Sequence, residues 1–135
     1  MDTVPPHPAT EALALTGRIE EGLAALDDAL AKAAISGVRG WDAEIHRLRG
    51  ELTARLPYPD PAKTEDSFRT ALAIAREQGT RGYELRAATS LARLWAEQGR
   101  RAEARELLAA VYGSFTEGFD TPDLKEAKAL LDALS

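Results

Sequence analysis

Gly99-Arg100-Arg101-Ala102-Glu103-Ala104-Arg105-Glu106-Leu107-Leu108-Ala109-Ala110-Val111 decides the fold, because its spacing occurs twice in the chain. Gly99 is followed at offsets of 5, 9 and 12 by Ala104, Leu108 and Val111, and Gly17 at the same offsets by Gly22, Leu26 and Ala29. Between these two stretches, Phe68 and Ala71 keep the three-residue gap of Leu26 and Ala29. The steps 26→68→108 and 29→71→111 are each 42 and then 40 residues. A fixed period in this range marks stacked helical hairpins, in which no hairpin buries its apolar face alone and neighbours must supply the burial. The pattern indicates an interaction scaffold without saying what the scaffold holds.

Composition agrees. The chain has 135 residues, enough for one domain with a sizeable core. Apolar content of 44% with only 6% aromatic points to a core of alanine and leucine, which suits closely packed helices. A net charge of −5 argues against sequence-independent nucleic-acid binding, which needs surplus Lys and Arg. No apolar run approaches the roughly 18 residues of a membrane span. Met1 to Pro8 is short, polar and proline-rich, unlike a targeting leader. The absence of cysteine excludes disulfides and thiolate chemistry and fits a cytoplasmic setting.

Read along its length, the chain divides into a flexible tail over residues 1–8 and a helical domain over 9–135. Ala9 to Leu15 reads as a helical stub closed by Gly17. A helix carrying Ile19, Leu23, Leu26 and Leu30 follows, ending near Gly37. Trp41 to Leu56 is the next, cut off by Pro57-Tyr58-Pro59-Asp60-Pro61. Asp60 and Pro61 suit the start of a helix bearing Phe68, Leu72 and Ala75, which ends at Gly79. Helices are then expected over Arg81–Gln98, over Arg101–Phe115, and from Pro122 with Leu124, Ala127, Leu130, Leu131 and Leu134 inward. Nothing alternates with period two. The expected class is all-α.

The best-formed unit is residues 85–116. It reads Ala88-x2-Leu91-Ala92-x2-Trp95-x3-Gly99 in one helix and Ala104-x3-Leu108-x2-Val111 in the next. This unit resembles the tetratricopeptide repeat, with its large–small pair, an aromatic residue, a turn glycine, and then small, large and small positions. Small residues such as Ala92 and Ala104 let paired helices approach, and larger ones fill the gaps. Val111 departs from the alanine usual in that family, and no proline follows the second helix at the family position. The resemblance implies a right-handed superhelix of antiparallel helix pairs, about two and a half to three repeats, with the last helix as cap.

Three stretches carry a more specific likeness: Ala43-Glu44-Ile45-His46-Arg47-Leu48-Arg49-Gly50-Glu51-Leu52, then Leu85 to Trp95, and Val111 to Thr121 continued by Asp123-Leu124-Lys125-Glu126-Ala127. Over roughly residues 17–134 the chain is similar to the carboxy-terminal helical repeats of bacterial signalling proteins that join an adenylate/guanylate cyclase domain to a predicted ATPase. A glycine-rich phosphate loop is missing, so the resemblance implies the scaffold's role in signal transduction and neither enzymatic activity.

Catalytic, metal and cofactor chemistry finds no candidate set. His7 and His46 are 39 residues apart and make no constellation. Glu20-Glu21 and Asp27-Asp28 read as a solvated helix face. The groove offers more. In repeats of this kind the first helix of each pair lines the concave side. On the 81–98 helix, Arg86, Thr89, Ser90, Arg93 and Glu97 share the face away from the Leu91–Trp95 seam, and His46, Arg47 and Arg49 could join them from the 41–56 helix. Free arginines there would take an acidic peptide or a terminal carboxylate. The competing reading pairs them with Glu44, Glu51 and Glu84. The expectation is a non-enzymatic module holding a protein or peptide segment in its groove, with no cofactor. The alternative is a structural module that forms homodimers through its incomplete first repeat.

Overall fold

Six helices occupy the described residues, and their boundaries have local chemical causes. The structure, a computed structural model, describes residues 18–37, 39–56 and 58–135. The expected tail over 1–8, the stub before Gly17 and His7 lie outside the described residues. Helix α1 (Ile19–Ser36) stops where Gly37 adopts φ +81°, a left-handed conformation that only glycine enters without strain, and returns its N–H to Ala33 O at 2.9 Å. Helix α2 (Asp42–Ala54) ends ahead of the proline run. Helix α3 (Pro61–Gln78) begins with Asp60, whose Oδ1 accepts from Ala62 N at 3.0 Å and Lys63 N at 3.4 Å. Helix α4 (Arg81–Glu97) and helix α5 (Arg101–Tyr112) follow. In helix α6 (Pro122–Leu134), the Thr121 hydroxyl accepts from Leu124 N at 3.5 Å.

The elements match the expected all-α class, and the described residues contain no strand. Two boundaries differ by more than one residue. The first is the end of α2, at Ala54 rather than Leu56. Helix α5 ends at Tyr112 rather than Phe115, because the Ser114 hydroxyl donates to Val111 O at 2.7 Å and tightens the chain into a turn. Among the described residues, no helix is long and apolar enough to cross a membrane.

Each helix packs on the next in sequence, and in addition α2 meets α4 and α4 meets α6. Helices α1, α3 and α5 make no close backbone contact with one another. The even-numbered helices therefore form a contacting row, and the odd-numbered ones lie against it separately. Glu44 bonds Arg86 and Glu51 bonds Ser90, so α2 and α4 run in the same direction.

Burial follows the sequence period. Leu26, Phe68 and Leu108 are all buried, as are Ala71 and Val111, with Ala29 half-buried. Two apolar clusters result. One joins α3 to α6 through Phe68, Leu72, Leu85, Leu91, Trp95, Leu108, Leu124 and their neighbours. The other joins α1 to α2 through Leu26, Ile45, Leu48 and Leu52. Trp95 is buried in the first cluster and Tyr112 packs against it, and Phe119 lies with its ring centroid 5.6 Å from that of Tyr112. The clusters approach each other where α3 crosses α2. There Gly50 faces the Phe68 ring so closely that a Cβ would stand 2.6 Å from Cε1 and 2.8 Å from Cδ1.

Gly50→Ala sets two effects against each other. Alanine improves helix propensity by about 1 kcal/mol. Overpacking against a buried ring costs about 1–3 kcal/mol. The variant should be net destabilised by about 1 kcal/mol, and pairing it with Phe68→Leu should cost less than the sum of the two single changes. Urea denaturation of the four chains checks both statements.

Candidate functional site

The even-numbered row carries a seam of charge on one side. Glu44, on the first turn of α2, is 1% exposed, and its carboxylate accepts three hydrogen bonds. Arg47, one turn further along α2, grips it in bidentate fashion, Nη2 to Oε2 at 2.7 Å and Nε to Oε1 at 3.0 Å. Arg86 reaches over from α4 to place Nη1 3.0 Å from Oε2. The same guanidinium turns its Nε to Asp123 Oδ2 on α6 at 2.9 Å, so one arginine ties three helices together. Arg47 Nη1 continues to Ser90 Oγ at 3.4 Å, and Ser90 donates to Glu51 Oε2 at 2.7 Å. Arg93 pairs with Glu126 of α6. Burial by itself lowers the pKa of Arg47, but its bonds to Glu44 and the charges of Glu44 and Glu51 outweigh that and hold it above its ordinary value. Arg86 is raised in the same way, burial again being outweighed by Asp123 and Glu44.

The expected groove residues are thus divided. Arg47, Arg86, Ser90 and Arg93 come together on the row, and Glu97 joins Ser90 and Arg93 along a neighbouring cleft. Thr89 does not: it is buried and donates its hydroxyl to Leu85 O of its own helix at 2.8 Å. Arg49 points the other way and pairs with Asp27 of α1 at 2.9 Å. His46 is half-buried among the charges of Asp42, Arg49, Arg39 and Asp27, towards α1 and apart from the seam. The arginines are not free cations. Their partners are Glu44, Glu51, Asp123 and Glu126, whereas Glu84 pairs with Arg76 instead. Nor is the pairing superficial, because Glu44 has left water altogether.

The acidic pairs of α1 are exposed: Asp27 meets Arg49, Asp28 meets Lys32 and Glu21 meets Arg18. Among the described residues, no group of acidic or histidine side chains has the arrangement to hold a metal ion.

Beside the seam lies a cleft of about 240 Å³ lined by α2, α3 and α4. Glu51, Ala54 and Arg55 form one wall, and Ser90, Arg93, Leu94 and Glu97 the other. Thr64 and Phe68 of α3 complete it. Thr64 is 1% exposed, and its Oγ1 has no hydrogen-bond partner. A buried hydroxyl left in this state costs about 1–3 kcal/mol. Its position is informative. Gly22 and Ala104, the small residues of the other repeats, lie 42 positions before and 40 after it, and both are buried. The steps 22→64→104 were available in the sequence, and they alone could have singled out Thr64.

No protein-family model matches the chain, and no curated protein or solved structure does.

Without the Glu44 carboxylate, Arg47 keeps Glu51 and Ser90, and Arg86 keeps Asp123. Replacing it weakens three charge-assisted hydrogen bonds, at a cost of about 2 kcal/mol. Glu44→Gln should therefore lower unfolding stability by about that much, more than loss of the exposed Asp28–Lys32 pair, worth less than about 1 kcal/mol. Urea midpoints of Glu44→Gln and Asp28→Asn test the contrast. His46 gives a pH prediction. Burial pushes its imidazole below the ordinary value, against the opposing pull of Asp42. The folded chain thus favours the neutral ring, and the denatured chain binds the proton first as pH falls. The stabilisation is complete above about pH 6.5 and is lost on acidification through the lower folded value. Denaturation midpoints should fall between about pH 7 and pH 5, and His46→Gln should flatten that part of the profile.

Proposed function

We propose that this chain is a non-catalytic scaffold built from tetratricopeptide-like helix pairs, which holds a segment of a partner protein along the row formed by α2, α4 and α6. The observation that carries the reading is the shared polar face of that row. Side chains from three separate helices meet on one side, at corresponding levels of α2 and α4, while the apolar residues of the same helices point into the two clusters. A surface assembled from successive hairpins is the form in which repeat proteins recognise extended segments. The likeness to the terminal repeats of cyclase–ATPase proteins supports a place in bacterial signalling.

Electrostatics favour an uncharged or basic segment over an acidic one. Arg47, Arg86 and Arg93 share the face with Glu44, Glu51, Glu97, Asp123 and Glu126. An acidic ligand would have to displace carboxylates already bound, or meet their repulsion. The whole chain, at −5, adds a field of the same sign.

Site-specific photo-crosslinking tests the reading in the full chain. A benzophenone side chain is placed at Ala129, exposed on α6 one turn beyond Glu126, and in a control at Ala73, exposed on α3. In a lysate of the source cells, position 129 should cross-link one discrete protein and position 73 none. Equal capture from both positions, or none from 129, rejects the groove. Capture of a second copy of the chain instead would favour self-association.

A further inference from the structure

We infer that the cleft between α2, α3 and α4 receives a carboxamide, the side chain of a glutamine or asparagine in the bound segment. The inference deepens the scaffold reading and rests on it. Three observations lead here. First, at about 240 Å³ the cleft is smaller than the roughly 300–1,000 Å³ of small-molecule sites, so it suits one side chain better than a cofactor. Second, Thr64 is one of its lining residues and its hydroxyl is buried without a partner, at a repeat position where Gly22 and Ala104 carry no polar side-chain atom. A position that takes the smallest residues elsewhere has acquired a group that can both donate and accept.

The third observation is the charge at the mouth. Glu44 meets Arg86, so the level of α2 that holds Arg55 corresponds, 42 residues on, to Glu97 of α4. Both residues line the cleft, both are exposed, and neither side chain has a hydrogen-bond or ion-pair partner among the described residues. Deeper in, Glu51 is bonded by Ser90, and Arg93 is engaged by Glu126. The lining therefore presents one unmatched carboxylate and one unmatched guanidinium, above a hydroxyl of either hydrogen-bonding sense. A cationic or anionic side chain would satisfy one of the two and be repelled by the other. A carboxamide carries two N–H donors and a carbonyl acceptor with no net charge, and so complements both. Its methylenes would lie against Ala54, Phe68 and Leu94.

The test uses the full chain and four blocked amino acids: the N-acetyl methylamides of glutamine, glutamate, lysine and methionine. Each is titrated while backbone amide resonances are followed by two-dimensional NMR. The glutamine probe should give saturable shifts at Thr64, Phe68, Leu94 and Glu97, with a Kd at least about five-fold below each of the others. Thr64→Val, nearly isosteric, should keep the folded spectrum and reduce that preference to less than about two-fold. Glu97→Lys, an exposed change that does not endanger the fold, should do likewise. Equal or tighter binding of any other probe overturns the assignment, as does full preference retained in both variants. Cross-linking at Ala129, outside the cleft, reads segment binding separately. A chain that cross-links its partner but ignores the glutamine probe keeps the scaffold reading and loses the carboxamide.

Discussion

The structure turns on one carboxylate removed from water. Glu44 is bonded from two helices at once, and through Arg86 it is linked to a third. Its importance follows from what lies either side. The apolar residues fall into two clusters, α1–α2 and α3–α6, so hydrophobic burial alone does not weld the molecule into one body. The division is spanned by the Phe68 ring on Gly50, by the Trp41 ring 6.4 Å from that of Tyr83, by the Gln78 amide on Arg39 O, and by the charge seam from Glu51 to Asp123. The ring contacts are non-directional and tolerate rotation of α2 about its axis. The seam is directional. A bidentate Arg47–Glu44 pair with Arg86 on the remaining lone pair accepts one register between α2 and α4. Such a pair contributes little net stability compared with well-packed apolar residues, but it penalises any alternative alignment heavily. Here the seam sets position, and the two clusters supply most of the free energy.

That division of labour bears on recognition. A surface that binds an extended segment needs its helices held at fixed spacing, because a displacement of an ångström misaligns every contact beyond it. The arginines of the row do that holding. Their guanidiniums are committed to carboxylates of the same chain, and the bonds to Glu44 and its acidic neighbours, outweighing the effect of burial, keep Arg47 and Arg86 charged and in place. On the scaffold reading proposed above, contact with a partner would pass to the groups left over, which are the cleft and its unmatched rim.

The sequence revealed the helices because their causes are local. Prolines at 61 and 122, the Asp60 cap and the Gly37 stop act within a few residues, and the 42-and-40 spacing of Leu26, Phe68 and Leu108 marks the buried line. The fate of the polar residues was not legible in the same way. Helical spacing placed Arg86 and Arg93 on the correct face, but whether they stayed free depended on Asp123 and Glu126, set by how α6 docks. Glu44 looked like an ordinary surface acid because its burial arises from two helices brought together over 42 residues. Arg49 and Thr89 were misplaced for a related reason: a helical wheel gives a direction within one helix and does not say which neighbour stands there. Arg49 finds α1, and Thr89 turns back on its own backbone.

A repeat makes departures from its own pattern measurable. At the position held by Gly22 and Ala104 the close approach of helices leaves no room for a polar atom that wants company, and the middle repeat nevertheless carries Thr64. Valine would fill nearly the same volume, add apolar contact and remove the desolvation cost, so packing gives no reason for the hydroxyl. Where a local rule is broken without a structural gain, a use for the exception is the physical explanation that remains. Thr64 lines the cleft that also gathers the unmatched Arg55 and Glu97, whereas Arg47, Glu44, Arg86, Ser90 and Glu51 at the junction of α2 and α4 are already engaged. An orphaned hydroxyl and two opposite charges without ion-pair partners, at one place, would together be satisfied by the neutral dipole of the carboxamide inferred above. That is a more restrictive demand than a groove of either sign would make.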